Sequence, residues 1–170
     1  QDVLAYVILL ISLLLFHAFF TYSIFLKFVG GLSPITFFKK IKNVALFAFS
    51  TSSSAATIPV TLKTVNQDLG VNQNVASFVV PVGATINMDG TAIMQGLATV
   101  FIAQMSGIDL TLFQYGQVVL LAVATSIGTA AVPSAGTITL IIILQQFNLP
   151  LEAIGIILAV DRVLDMIRTS

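Results

Sequence analysis

Asp89 stands alone among uncharged, mostly apolar residues in a run from about Val75 to Met105, and no other feature limits the possible folds as much. About 20 apolar residues cross a bilayer, so this run is long enough to do so. A carboxylate at that depth costs roughly 2.5–3.5 kcal/mol on insertion scales, and a cation or a second buried charge must offset it. Asn87 and Gly90 flank the acid and Gly83 lies just upstream, all poor helix formers. A helix unwound within Pro81–Thr91 releases carbonyls that lipid leaves unsatisfied and a cation can use. The stretch is expected to be an intramembrane cation site; the plainer alternative pairs Asp89 with an arginine of a packed bundle.

The rest of the composition agrees with a bilayer. Of 170 residues, 57% are hydrophobic and 8% charged, against about a quarter charged in soluble domains. Net charge is zero and no basic run is long enough for nucleic acid. Without cysteine there is no disulfide framework and no thiolate nucleophile or metal site; with His17 the sole histidine there is no multi-histidine centre either. The first segment lacks the basic start of a signal peptide and is too long for one. The chain begins at Gln, and Asp161 to Ser170 still follow a helical pattern, so a longer protein is expected around it.

Residues 3–26 carry no charge and read as a full transmembrane helix, with His17 expected to satisfy a neighbouring helix or face lipid near an interface. Gly30, Gly31 and Pro34 end it, and Lys27, Lys39, Lys40 and Lys42 mark the turn as cytoplasmic. Two later stretches are too interrupted to span. In residues 36–68 the apolar piece Val44–Phe49 meets Ser50-Thr-Ser-Ser-Ser-Ala-Ala-Thr-Ile-Pro59. In residues 115–148 the break is Ser126-Ile-Gly-Thr-Ala-Ala-Val-Pro-Ser-Ala-Gly136. Each reads as a helix–turn–helix that dips into the membrane and returns, because irregular backbone at that depth must be covered by protein or line a cavity. Ala55-Ala-Thr-Ile-Pro59 lines up with Thr129-Ala-Ala-Val-Pro133, and paired broken segments of opposite orientation point to a transporter site at an inverted-repeat interface. The two tips are expected to meet near mid-membrane.

In the final helix, after Pro150, Asp161, Asp165 and Arg168 fall on one face, which lipid would reject and the bundle interior must receive. Arg168 offers a planar fork for a carboxylate and Asp165 suits an ammonium, so the pair reads as a receptor for a zwitterion with an extra carboxylate. The plainer reading is an Asp165–Arg168 pair that neutralises itself.

With these motifs assembled, Ser52-Ser-Ser-Ala-Ala-Thr-Ile-Pro59, Asn87-Met-Asp-Gly-Thr91, Gly128-Thr-Ala-Ala-Val-Pro-Ser-Ala-Gly136 and Asp161-Arg-Val-Leu-Asp-Met-Ile-Arg-Thr169, the chain resembles the glutamate transporter family, the dicarboxylate/amino acid:cation symporters. The resemblance implies an all-α membrane protein, the core of an elevator-type transporter. Transmembrane helix 6 would span residues 1–30, re-entrant hairpin 1 residues 36–70, an interrupted helix 7 with an unwound mid-membrane turn residues 75–105, hairpin 2 residues 113–148 and a truncated helix 8 residues 150–170. The trimeric scaffold would lie outside the chain. The implied function is not enzymatic: uptake of aspartate or glutamate coupled to Na+, with hairpin 2 as gate, in the plasma or cell inner membrane. Substrate would touch Ser53, Ser54, Thr91, Val132, Gly136, Asp165, Arg168 and Thr169. Sodium would use Gly83 and Asn87 with Asp161 nearby, carbonyls of Thr85, Ser126, Ile127 and Thr129, and Asn87 with Asp89. Some archaeal relatives carry Arg where this chain has Ser52.

The alternatives are a proton-coupled glutamate or C4-dicarboxylate symporter, a channel with two re-entrant loops, and, remotely, an intramembrane aspartyl protease pairing Asp89 with Asp161 or Asp165. The protease reading lacks its Gly-x-Gly-Asp signature, and Arg168 would hold a nearby Asp ionised.

Overall fold

Residues Asp2–Phe28 wind into one continuous helix of 27 residues. At 1.5 Å per residue it is about 40 Å long, more than the roughly 30 Å hydrocarbon core. It comprises α1 (Asp2–Phe16), a π-turn (His17–Thr21) and α2 (Tyr22–Phe28). The computed structural model describes residues 2–170, and every regular element among them is helical.

The first hairpin is α3 (Pro34–Thr51) and α4 (Ser54–Gln67). Proline suits the first turn of α3, where its missing N–H would have no partner anyway. Ser52 stops the helix in the left-handed region at φ 50°, and the Ser53 hydroxyl caps α4 by accepting from the Ala56 amide at 3.2 Å. The turn is therefore two residues long. The sequence places Pro59 in the tip, whereas α4 begins at Ser54 and runs through it. The Ser53 cap starts the helix early, and Pro59 removes one backbone bond without ending it.

Helices α5 (Gln73–Ile86) and α6 (Asp89–Met105) are the two parts of the interrupted span, separated by Asn87 and Met88. A capping box, Thr111 with Gln114, starts α7 (Leu112–Ile127), which forms the second hairpin with α8 (Ala135–Gln146). Residues 128–134 between them are non-helical, and Ser134 is left-handed at φ 59°. The alignment of Ala55–Pro59 with Thr129–Pro133 thus does not extend to conformation, since the first segment is helical and the second is the turn. A short 3-10 turn, Leu151–Ala153, leads into α9 (Ile154–Thr169).

Tyr6, Leu10 and Leu14 recur every four residues on α1 and meet the matching stripe Met94, Ala98 and Ile102 of α6; Leu140, Ile143 and Leu144 of α8 and Ile157 and Leu164 of α9 complete the core. Around it the usual distribution is reversed. Gln95, Thr99, Thr129, Asp161 and Asp165 are buried, while Phe19, Phe25, Leu120 and Ile138 face outward. A soluble domain hides the second set, and a bilayer solvates it.

Candidate functional site

Helix α9 carries three of its four ionisable residues, Asp161, Asp165 and Arg168, one turn apart on its buried face. Arg168 Nη2 donates to Asp165 Oδ1, and Nη1 donates to Asp161 Oδ1 at 3.4 Å. All three side chains are almost inaccessible. The second oxygen of Asp165 accepts from the backbone N–H of Ser134 at 2.8 Å, so the tip of the second hairpin rests on α9. The left-handed conformation of Ser134 accompanies this bond. Oδ2 of Asp161 is buried and has no hydrogen-bond partner among the described residues. Two carboxylates facing one guanidinium leave one formal negative charge. Arg162 is exposed on the other side of the helix.

Two glycines let α6 and α8 close on this cluster. A Cβ on Gly90 would lie 2.7 Å from Arg168 Cγ and 2.9 Å from its carbonyl oxygen. One on Gly136 would lie 2.8 Å from Thr91 Cγ2. Both are closer than a side chain can approach.

Beside the cluster lies a cavity of about 600 Å³, lined by Ser54, Thr91, Val132, Gly136, Asp165, Arg168 and Thr169 of the expected substrate set and by Asn87, Asp89 and Thr129 of the expected ion set. Ser53 is not in its wall. The Ser53 hydroxyl donates to the Ala131 carbonyl at 3.0 Å, and the Ala55 amide donates to the same oxygen at 3.2 Å, so the tips of the two hairpins meet. Gly83 lines a smaller cavity of about 270 Å³ with Ser54, Thr57, Thr61 and Thr169. Thr85, Ser126, Ile127 and Asp161 line neither.

The break between α5 and α6 leaves carbonyls at the end of α5 without backbone donors. The Asn87 amide donates to Gly83 O and the Met88 amide to Ile86 O, while the carbonyls of Ala84 and Thr85 receive no backbone donor among the described residues. Oxygen ligands of this kind suit a hard cation. No group of three His, Cys, Asp or Glu side chains is assembled for a metal among the described residues, so a cation held here with more than two ligands must also use carbonyls or hydroxyls.

Asp89, the first residue of α6, has no arginine partner among the described residues. Tyr22 donates its hydroxyl to Asp89 Oδ2 at 2.8 Å, and His17 Nε2 lies 3.3 Å from the same oxygen. His17 thus serves a neighbouring helix, as one of its two sequence readings has it. These five acids and bases fall into two separate groups, His17 with Asp89 and Arg168 with Asp161 and Asp165, and no two carboxylates share a hydrogen bond among the described residues.

Sequence reasoning missed Tyr22 and, more consequentially, Gln95. Gln95 is fully buried on α6, donates to Gly136 O at 3.0 Å and Thr139 Oγ1 at 2.7 Å, and accepts from Thr125 Oγ1 at 2.8 Å. One amide thereby ties α6 to both arms of the second hairpin. The signal was present, since Gln95 is an amide near the middle of a largely apolar helix, where polar groups require partners.

A family model described as the sodium:dicarboxylate symporter family matches residues 1–170. An excitatory amino acid transporter of Caenorhabditis elegans is 40% identical over 165 residues, 97% of this chain and 33% of that protein. Excitatory amino acid transporter 2 of Homo sapiens is 46% identical over 138 residues, 81% of this chain and 24% of its own length. Excitatory amino acid transporter 1 of Rattus norvegicus is 41% identical over 165 residues, 97% and 30% respectively. The chain thus spans a third or less of the relatives it matches.

Proposed function

The chain belongs to the sodium:dicarboxylate symporter family, a family of transporters and not of enzymes, and from that membership we propose that it forms the substrate- and ion-binding half of a sodium-coupled acidic amino acid symporter. The observation that carries the proposal is the buried Asp165–Arg168 pair at the cavity wall, held from the other side by the tip of the second hairpin. Separating a buried ion pair without replacement partners costs about 3–5 kcal/mol. A zwitterion supplies both replacements: its ammonium takes Asp165, and a carboxylate takes the guanidinium fork. Thr91 and Thr169 add hydroxyls at the same wall. Aspartate and glutamate fit better than a C4-dicarboxylate, which has no ammonium for Asp165.

Charge balance supports cation coupling. The α9 cluster carries one formal negative charge, Asp89 a second, and an acidic amino acid brings a third. Burying them together is unfavourable unless cations enter as well, which makes substrate and sodium affinities mutually dependent. Sodium is cargo here, and the free Thr85 carbonyl, Asn87, Asp89 and the orphaned Oδ2 of Asp161 are the oxygens on offer.

Helices α7 and α8, with 16 and 12 residues, are about 24 and 18 Å long and cannot each cross the core, which supports re-entrant hairpins. In this reading the second hairpin is the gate, this half moves as the elevator car of a trimer, and the assembled protein is a multi-pass plasma- or inner-membrane protein. The test is radiolabelled L-aspartate uptake into proteoliposomes by the full-length protein under an inward sodium gradient, with choline substituted in parallel. Sodium-dependent uptake supports the proposal. Uptake driven by a pH gradient alone moves the coupling to protons, and transport of succinate without aspartate sinks the substrate assignment.

A further inference from the structure

The π-turn in the first long helix has a consequence for Asp89. Residues five apart on an α-helix point about 140° away from each other, so His17 and Tyr22 would not share a face on a regular helix. Here the Tyr22 amide donates to the His17 carbonyl, the wide bond that defines a π-turn. The extra residue in the turn brings both rings to one side, where they pack edge to face with centroids 4.9 Å apart. Both polar ends then reach the same oxygen, Oδ2 of Asp89, at 2.8 and 3.3 Å. Oδ1 receives no hydrogen bond among the described residues, and Asp89 is part of the cavity wall. Single π-turns within α-helices recur at functional sites because they redirect side chains in this way.

We propose that Tyr22 and His17 form a clamp, created by the π-turn, that positions Asp89 to offer a single oxygen to a small monovalent cation. The proposal rests on the reading of Asp89 as a cation-binding residue and adds the side chains that determine how it binds. A carboxylate with both oxygens free rotates and can embrace a larger ion through both. With Oδ2 occupied by two donors, the side chain is ordered before the ion arrives and presents Oδ1 alone, which favours Na+ over K+. Tyr22 and His17 are positioning residues in this scheme, since neither touches the ion.

The experiment is a titration of the purified full-length protein in detergent with NaCl or KCl at constant ionic strength, read as the shift in Tm. Tyr22→Phe retains the ring and removes the donor. It is expected to raise the apparent Kd for Na+ about three- to tenfold, the effect of one side chain that must now be ordered on binding, and to narrow the preference over K+. Its Tm in choline should stay near wild type, which separates ion affinity from a packing defect. His17→Gln keeps a donor and is expected to bind Na+ nearly as well as wild type, whereas His17→Phe should resemble Tyr22→Phe. Asp89→Asn tests the underlying reading separately. If Asp89→Asn abolishes sodium protection while Tyr22→Phe titrates like wild type, the clamp is overturned and the ion site stands. If Asp89→Asn retains full sodium protection, the ion assignment itself fails.

Discussion

The two helical hairpins look alike in sequence but are attached differently. The first turns over two residues, Ser52 and Ser53, and its tip reaches the second through two bonds to the Ala131 carbonyl. The second has a seven-residue turn, residues 128–134, and is tied into the site from two further directions. Ser134 holds Asp165 of α9, and Gln95 of α6 holds Gly136 and Thr139. A long irregular tip can change its backbone with few helical bonds to break, while a capped two-residue turn cannot. In the proposed reading, this contrast suits the second hairpin to act as the gate and the first as the stop against which it closes.

The largest test of this contrast is Arg168→Ala, which leaves Asp161 and Asp165 buried without their cation at a cost of about 3–5 kcal/mol. Aspartate uptake is expected to fall at least about 100-fold. Retained uptake would detach the second hairpin's anchor from substrate binding. Gly136→Ala comes next, because the new methyl collides with Thr91 Cγ2 and Met94 Cε. Overpacking of this kind costs about 1–3 kcal/mol, so aspartate affinity should drop roughly tenfold in a binding titration. Wild-type affinity would show that the gate need not seat so closely.

Gln95→Leu removes two donated bonds and one accepted bond from the second hairpin and nothing from the first, at a cost of about 1–2 kcal/mol. Amide hydrogen exchange over residues 129–136 should accelerate about tenfold while residues 52–57 stay unchanged. Equal acceleration in both hairpins would erase the distinction. The smallest effect is expected from Ser53→Ala, which loses the α4 cap and one tip-to-tip bond, about 0.5–2 kcal/mol. Exchange at the Ala55 and Ala56 amides should rise with little change at residues 135–139. A larger response in the second hairpin would mean that the first one holds the gate shut.

Much of this architecture is legible in residue order. Glycine, proline and serine mark the interruptions, and the break at Asn87–Met88 falls within the stretch their propensities predict. Helical spacing puts Asp161, Asp165 and Arg168 on one face, and the high cost of charge in lipid turns that face inward. The misplacement of Pro59 has an equally local cause, for a serine cap upstream starts the helix that proline alone would have been expected to delay.

Sequence by itself determined the helical class, the breaks that separate one helix from the next and the acid–arginine face, because these follow from propensity and periodicity within a few turns of chain. Tertiary structure alone decided which groups meet: His17 with Asp89 across 72 residues, Gln95 with Gly136 and Thr139 across 41 and 44, and Ser53 with Ala131 across 78. Such pairings depend on helix rotation and on one π-turn that shifts the register of a helix face. No local pattern encodes that shift, since its stabilisation comes from partners the chain supplies only after folding back on itself.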